Sequence, residues 1–132
     1  MVHRFADNLM MAARCNNGAG DPTVITTDPV ALSGSDRAAL VLSVHYFLPP
    51  GTSVAKIAVL LEKSIDGVDF VAAPVPELVI LSSATVLILE SGGPTVGMFV
   101  RAVFTYTPEN SGDGGTDLSI VQFDCDAYFD KA

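Results

Sequence analysis

Val54-Ala-Lys-Ile-Ala-Val-Leu-Leu-Glu-Lys-Ser-Ile-Asp-Gly-Val-Asp-Phe70 is the stretch of sequence that decides the fold class. Asp66-Gly67 lies between two segments of β-type composition, and a tight hairpin turn needs a residue that tolerates a positive φ, which glycine supplies. The stretch therefore predicts an antiparallel hairpin, with Val68–Ala72 as its returning strand. An equally apolar segment, 38–48, precedes it across Pro49-Pro-Gly-Thr-Ser53.

Period-two alternation of apolar residues extends this prediction to the rest of the chain. The segment 38–48 alternates, and its even positions form one apolar face, consisting of Leu40, Leu42, Val44, Tyr46 and Leu48. The segments 96–107 and 117–129 alternate in the same way. With the shorter β-branched segments, the chain contains eight or nine candidate strands and little helix. We expect an all-β protein, an antiparallel two-sheet β-sandwich or jelly roll.

The length of 132 residues fits one domain. We expect residues 1–29 to form an N-terminal arm and a first short strand, and residues 30–132 to form the β-sandwich. Within the first part, Asp7–Arg14 fits two helical turns or a strand equally well. No apolar run reaches the ~18 residues of a membrane helix, and no apolar block near the N-terminus resembles a secretory signal.

The composition limits the classes of function. The chain is 49% hydrophobic and 17% charged, which excludes a disordered chain, and its net charge of −8 disfavours nucleic-acid binding. An acidic surface serves solubility or meets a basic partner. Without an export signal we expect Cys15 and Cys125 to be free thiols, although the sequence leaves a long-range disulfide open.

Catalytic patterns are weak. His45 shares a strand face with Ser43, but such a pair is far more often structural than catalytic. Asp124 and Asp126 lie on one strand face, about 7 Å apart, where alternating carboxylates commonly protect a strand from wrong pairing. Cys125 lies on an apolar face and should be an inert core thiol. We expect no catalytic residue and no enzyme activity.

Ligand patterns are also weak. The polar loop Glu109–Asp117 offers oxygen ligands that would suit calcium, but its spacing matches no EF-hand, and no zinc or phosphate motif is present. We therefore expect no metal and no cofactor. A carbohydrate-binding sandwich with a calcium-assisted loop stays open as an alternative, with the rings of Tyr46, Tyr106 and Tyr128 more often core or rim than sugar platform.

The apolar excess instead favours contact with other proteins. Side chains on the mixed strand faces, such as Phe47, exceed what one small core needs, and large apolar patches usually mark association. Arg101 lies on a face with Phe99 and Val103, and arginine and aromatic residues concentrate at interfaces. The alternative for Arg101 is a rim arginine paired with a local carboxylate.

The order of motifs resembles the small β-sandwich proteins encoded among bacteriophage structural genes. The resemblance covers about Val30–Thr107 and includes the pattern Glu-x-Ser-x-Asp-Gly-x-x-aromatic at 62–70 and a later Val-Arg strand at 97–104. It implies a non-enzymatic virion protein, most often a capsid decoration (cement) protein that binds coat subunits as an oligomer.

The sequence thus predicts a decoration protein whose partners are the major capsid protein and copies of itself, with no nucleic acid and no membrane. We expect a homo-oligomer that is made in the host cytoplasm and located in the virion. The candidate contact residues are Arg4, Phe5, Phe47 and Arg101.

Overall fold

The structure is a computed structural model that describes residues 2–16, 19–20, 22–32, 37–48, 55–73, 77–80, 85–90, 99–108 and 116–130. These residues form eleven strands and, within those ranges, no helix. The strands are β1 (Val2–Asn16), β2 (Ala19–Gly20), β3 (Thr23–Thr26), β4 (Val30–Ala31), β5 (Arg37–Leu48), β6 (Ala55–Ser64), β7 (Val71–Ala73), β8 (Glu77–Ile80), β9 (Thr85–Glu90), β10 (Phe99–Pro108) and β11 (Thr116–Asp130).

The strands form two antiparallel sheets. Sheet 1 has the order β2-β1-β11-β5-β9, and sheet 2 has the order β3-β10-β6-β7, with β4 also paired to β10 and β8 also paired to β6. The chain passes repeatedly from one sheet to the other, and its first and last long strands, β1 and β11, are neighbours. This connectivity is that of a jelly roll.

The predicted all-β class is therefore confirmed. Eight of the described strands have four or more residues, in agreement with the eight or nine that the alternation predicts. Asp7–Arg14, for which a helix and a strand were equally plausible, lies within the strand β1, and residues 1–29 supply strands to both sheets.

The core lies between the sheets and follows the alternation of the long strands. On β10 and β11 every second residue is buried, and the rings of Phe104 and Phe123 meet edge to face across the core with centroids 5.2 Å apart. The buried hydroxyl of Tyr106 donates to Ser119 Oγ, which donates to the carbonyl of Leu48. Both hydroxyls are thus satisfied inside the core, as burial requires.

Two details differ from the predicted pattern. On β5 the inward positions are Ala38, Leu40, Leu42 and Val44, but beyond a register shift the inward residue is Phe47, and Tyr46 and Leu48 are exposed. The hairpin after β6 is also wider than predicted. Its strands pair Lys63 with Val71, so the returning strand begins three residues later than the predicted Val68.

Candidate interaction surfaces

The loop between β6 and β7, residues 65–70, is held by hydrogen bonds within a few residues. Asp66 Oδ1 accepts from the backbone N–H groups of Val68 (2.9 Å) and Asp69 (3.0 Å) and from the hydroxyl of Ser64 (2.8 Å). Ser64 Oγ in turn accepts from the N–H of Gly67, whose φ of 79° is readily adopted only by glycine. All of these hydrogen bonds join residues within 64–69, so they are local in sequence.

The hydrogen bonds also explain the electrostatics of Asp66. The backbone N–H groups of Asp69 and Val68, followed by the Ser64 hydroxyl, lower the pKa of Asp66 to about 2 because they stabilise the carboxylate. The carboxylate is therefore present throughout the neutral and mildly acidic range, where it can accept these hydrogen bonds.

The loop rests on the outer face of sheet 2. Gly67 lies against the ring of Phe99, since a Cβ at that position would be 3.4 Å from it. At the end of the loop, the guanidinium of Arg101 lies 3.9 Å from the centre of the Phe70 ring and donates to Glu62 Oε1 at 2.7 Å. Cation–π stacking and the ion pair together attach the loop to β6 and β10.

The tip of this loop is apolar. Ile65 is 80% exposed and Val68 is 78% exposed, which are the highest values among the large hydrophobic side chains of the described residues. An open depression of ≈ 390 Å³ lies beside the tip, and its lining consists of Lys63, Ser64, Ile65, Asp66, Asp69 and Val71. We refer to residues 62–71 together with Phe99 and Arg101 as the loop site.

The outer face of sheet 1 differs, because its central feature is a charged cluster that joins three strands. Asp124 on β11 accepts from the backbone N–H of Asn8 on β1 (2.7 Å) and contacts His45 Nε2 on β5 at 2.6 Å. The Asn8 N–H, followed by His45, lowers the pKa of Asp124. Asn8 has a φ of 48°, a conformation that is uncommon for a residue with a side chain.

Asp124 lies between two irregularities of the ladder. On one side, the register of β1 shifts between Ala6 and Leu9, so Asp7 and Asn8 together lie opposite Asp124. On the other side, the register of β5 shifts between Val44 and Tyr46, so His45 is the extra residue. Each arrangement is a β-bulge, and the carboxylate binds a group from each.

Arg4 completes this charged cluster. Its Nε donates to Asp126 Oδ1 at 2.7 Å, and its Nη1 lies 3.3 Å from Asp7 Oδ1 and 3.8 Å from Asp124 Oδ2. The contacts with Asp126 raise the pKa of Arg4 most strongly. Because the Arg4 side chain is about half exposed, this ion pair adds little stability but defines a mixed-charge surface.

The four candidate contact residues lie in different places. Arg4 belongs to the charged cluster on sheet 1, and Arg101 belongs to the loop site on sheet 2, where it also has the local carboxylate partner that the sequence left as an alternative. Phe47 is partly buried against the core. Phe5 is 8% exposed and packs against Phe129. Their contact roles stay predictions, and that of Phe5 has the weakest basis because its ring fills the chain's own core.

The chemical candidates have equally clear positions. Cys125 is a free, buried thiol, and burial raises its pKa to about 12. Cys15 on β1 pairs with Asp117 on β11. Asp117 lies about eight residues, or about 26 Å, from Cys125 along β11, and this separation is far beyond disulfide distance. Among the described residues, no three His, Cys, Asp or Glu side chains gather as metal ligands.

Other predictions fall partly outside the described ranges. The predicted calcium loop, Glu109–Asp117, lies outside the described residues except for the backbone of its last two residues, where β11 begins. Tyr106 is a core residue, whereas Tyr46 and Tyr128 are exposed. Tyr46 on β5 pairs with Gln122 on β11, which lies six residues, about 20 Å, before Tyr128. The two exposed rings therefore do not form one aromatic platform. In the portion described, no helix has the length and apolarity to cross a membrane.

Sequence reasoning missed three features: the bulges, the role of Asp124 and the exposed tip of the loop. Neither the bulges nor the role of Asp124 has a local sequence signal, because each depends on how three strands align. The exposed tip did have one: Ile65 and Val68 flank Asp66-Gly67, and apolar residues at both sides of a tight turn have little chance of burial.

Comparison with known proteins provides a structural neighbour. No protein-family model matches the chain, and no curated protein matches it. A chain of the solved structure "Structure of infectious bursal disease virus Gx strain" matches 96% of this chain with a TM-score of 0.51 and 10% sequence identity. The match covers 30% of that chain, so this protein spans less than a third of its neighbour's length. The likeness shows that the two share a fold.

Proposed function

We propose that this protein is a non-enzymatic virion structural protein, specifically a capsid decoration (cement) protein that binds and stabilises coat subunits. The main support is the jelly-roll connectivity together with the likeness to a virus chain over 96% of the sequence. The jelly roll is an architecture of viral capsid domains, although lectins and cupins share it. The proposed location is the virion, after synthesis in the host cytoplasm.

The loop site is the part that we assign to the coat subunit. Its tip exposes Ile65 and Val68 almost fully, and apolar side chains exposed close together are typical of sites that bind other proteins. The loop is also ordered before binding, because Asp66 and Ser64 satisfy its backbone groups. An ordered loop loses little conformational entropy when it docks, so more of its contact energy contributes to affinity.

Arg101 holds the loop site in place. The stacking of its guanidinium on Phe70 and its bond to Glu62 hold the end of the loop against the sheet. The net charge of −8 favours a coat surface that is basic around an apolar contact, and repeated attachment across a lattice would strengthen weak single contacts.

Co-sedimentation with particles tests the proposal. The tagged chain is produced during growth of the virus that encodes it, and particles are purified on a density gradient. We expect the chain to sediment with the coat protein in a fixed ratio. The double variant Ile65→Ser with Val68→Ser should reduce its occupancy at least about tenfold, as expected for loss of a buried apolar anchor.

Val24→Ser is the matched control, because Val24 is an exposed apolar residue of the same sheet but lies on β3, across β10 from β6. It should leave occupancy unchanged. Absence of the wild-type chain from purified particles would contradict the virion role. Closed shells formed by the chain alone would contradict a decoration role and indicate a coat protein instead.

A further inference from the structure

An apolar patch lies on the outer face of sheet 1, beyond the charged cluster. Met10 on β1, Tyr46 and Leu48 on β5, and Leu118 on β11 are all exposed there, and Met10 is 56% exposed. Met10 and Tyr46 both lie opposite Gln122, and Leu48 lies opposite Ile120, so the patch spans three adjacent strands. We call these residues the sheet 1 patch.

The bulge at His45 produces this patch. Without the extra residue, strict alternation would turn Tyr46 and Leu48 into the core and Phe47 outward. With it, Phe47 packs against the core, and Tyr46 and Leu48 are exposed on the same face as Met10, one strand away across β11. The irregularity that Asp124 stabilises therefore also places an amphipathic tyrosine and a leucine on the surface, which are residue types suited to protein contacts.

We propose that the sheet 1 patch binds a second copy of this chain about a two-fold axis. The axis would lie between the two facing sheets and cross β1 near Met10, so that β1 of one copy runs antiparallel over β1 of the other. This contact would assign the outer face of sheet 1 to self-association and leave the loop site for the coat subunit. Its role in a virion rests on the proposed function.

Charge complementarity favours a second copy as the occupant. Asp7 and Arg14 lie on β1 three residues before and four residues after Met10, both on exposed positions. A two-fold axis between Met10 and Met11 brings Asp7 of each copy opposite Arg14 of the other. An isologous interface requires such self-complementarity, in which a residue and its partner exchange roles.

The surroundings of Asp7 and Arg14 also favour this pairing. Arg14 is exposed, and within the described residues its guanidinium forms no ion pair. Asp7, whose side chain is 71% exposed, lies near the carboxylates of Asp124 and Asp126, and Arg4 is the one arginine in that group. That end of the face is therefore acidic, and it suits an arginine from another copy.

The size of the face predicts the strength of the contact. Three strands and the span from Asp7 to Arg14 give a footprint of about 25 Å by about 15 Å. This is about half of the ~800 Å² per partner of a standard interface. We therefore expect a weak, concentration-dependent dimer that a lattice of coat subunits would reinforce.

Light scattering coupled to size-exclusion chromatography tests the dimer over about 1 µM to about 1 mM protein. The mass of the wild type should rise with concentration from 13.8 kDa toward twice that value. Met10→Asp should weaken dimerisation at least about tenfold, because it places a charge on the axis. Val24→Asp is the matched control, since Val24 is also 56% exposed but lies on sheet 2, and it should leave the dimer unchanged.

Charge reversal then tests the two-fold axis itself. Asp7→Arg and Arg14→Asp should each weaken the homodimer about tenfold, because each faces two like charges in the symmetric contact. A mixture of the two single variants should form a heterodimer of wild-type strength, since both crossed contacts are then attractive. Circular dichroism of each variant confirms that the β-structure is intact.

The outcomes separate this inference from the proposed function. A wild type that stays monomeric, or a dimer that Met10→Asp and Val24→Asp weaken equally, overturns the self-association face. So does a failure of the mixed charge variants to pair. Co-sedimentation with virus particles is a separate measurement. A monomer that still sediments with particles supports the virion role and contradicts the dimer. A dimer that never sediments with them supports the self-association face and contradicts the virion role.

Discussion

Asp66 and Asp124 each stabilise an irregular piece of β-structure, but they do so over very different distances along the chain. Asp66 accepts hydrogen bonds from Val68 and Asp69, two and three residues away. Asp124 binds the N–H of Asn8, 116 residues away, and the ring of His45, 79 residues away. One carboxylate orders a loop, and the other joins three strands.

The difference decides what each aspartate controls. The contacts of Asp66 can form in the hairpin alone, so its loss should loosen the loop and leave the sheets intact. The contacts of Asp124 exist only when β1, β11 and β5 are aligned, and they accompany the bulges that select which side chains enter the core. Long-range hydrogen bonds of this kind therefore affect global stability, whereas local ones mainly affect the loop that contains them.

The largest expected effect tests the bulge on β5. Phe47→Ala should reduce the free energy of unfolding by about 3 kcal/mol, because it removes an aromatic ring packed against the core. Tyr46→Ala should cost at most about 1 kcal/mol, because that ring is 46% exposed. Urea unfolding followed by circular dichroism measures both, and a larger loss for Tyr46→Ala would show that β5 alternates without the bulge.

The next effect tests the long-range carboxylate. Asp124→Ala should reduce the free energy of unfolding by about 1–2 kcal/mol, because the Asn8 N–H and the His45 ring lose their acceptor. Asp126→Ala is the control: its side chain is similarly covered, but its partner Arg4 is half exposed, so the cost should be below about 1 kcal/mol. Equal losses in the two variants would remove the special role of Asp124.

The sequence predicted the parts of the fold that depend on uninterrupted alternation. On β10 the buried residues are Val100, Ala102, Phe104 and Tyr106, as the period of two requires. On β11 alternation likewise turns Phe123 and Cys125 inward and Asp124 outward. Asp66-Gly67 also predicted a turn with a positive φ, because few residues other than glycine adopt that conformation cheaply.

The sequence could not predict where alternation is interrupted. Phe5 and Ala6 are adjacent and both buried, which strict alternation forbids, and a register shift between Arg4 and Ala6 makes it feasible. A bulge is determined by the pairing of two strands, and its residues have no distinctive local composition. The sheet 1 patch and the charged cluster both depend on such interruptions, so neither could be derived before the strands were aligned.

A smaller effect tests the loop that Asp66 orders. Gly67→Ala should reduce the free energy of unfolding by about 1 kcal/mol, because a φ of 79° strains any residue with a Cβ. The Phe99 ring, 3.4 Å from that Cβ, leaves room for the methyl group, so the cost is conformational rather than steric. Gly67→Asn should cost less, since asparagine tolerates this conformation better. Equal costs for both would indicate steric crowding instead.

The smallest effect is the acid response of the loop. The pKa of Asp66 is lowered to about 2, so the stability that its carboxylate gives the loop is complete above its ordinary pKa of 3.8 and is lost as pH falls toward 2. NMR titration of the Asp66 carboxyl group should show this midpoint, with the amide signals of Val68 and Asp69 shifting in parallel. Ser64→Ala removes one of the three donors and should raise the midpoint toward the ordinary value. An Asp66 midpoint near 3.8 in the wild type would mean that the loop is not ordered by these hydrogen bonds, and the loop site would then lose the rigidity on which its proposed affinity depends.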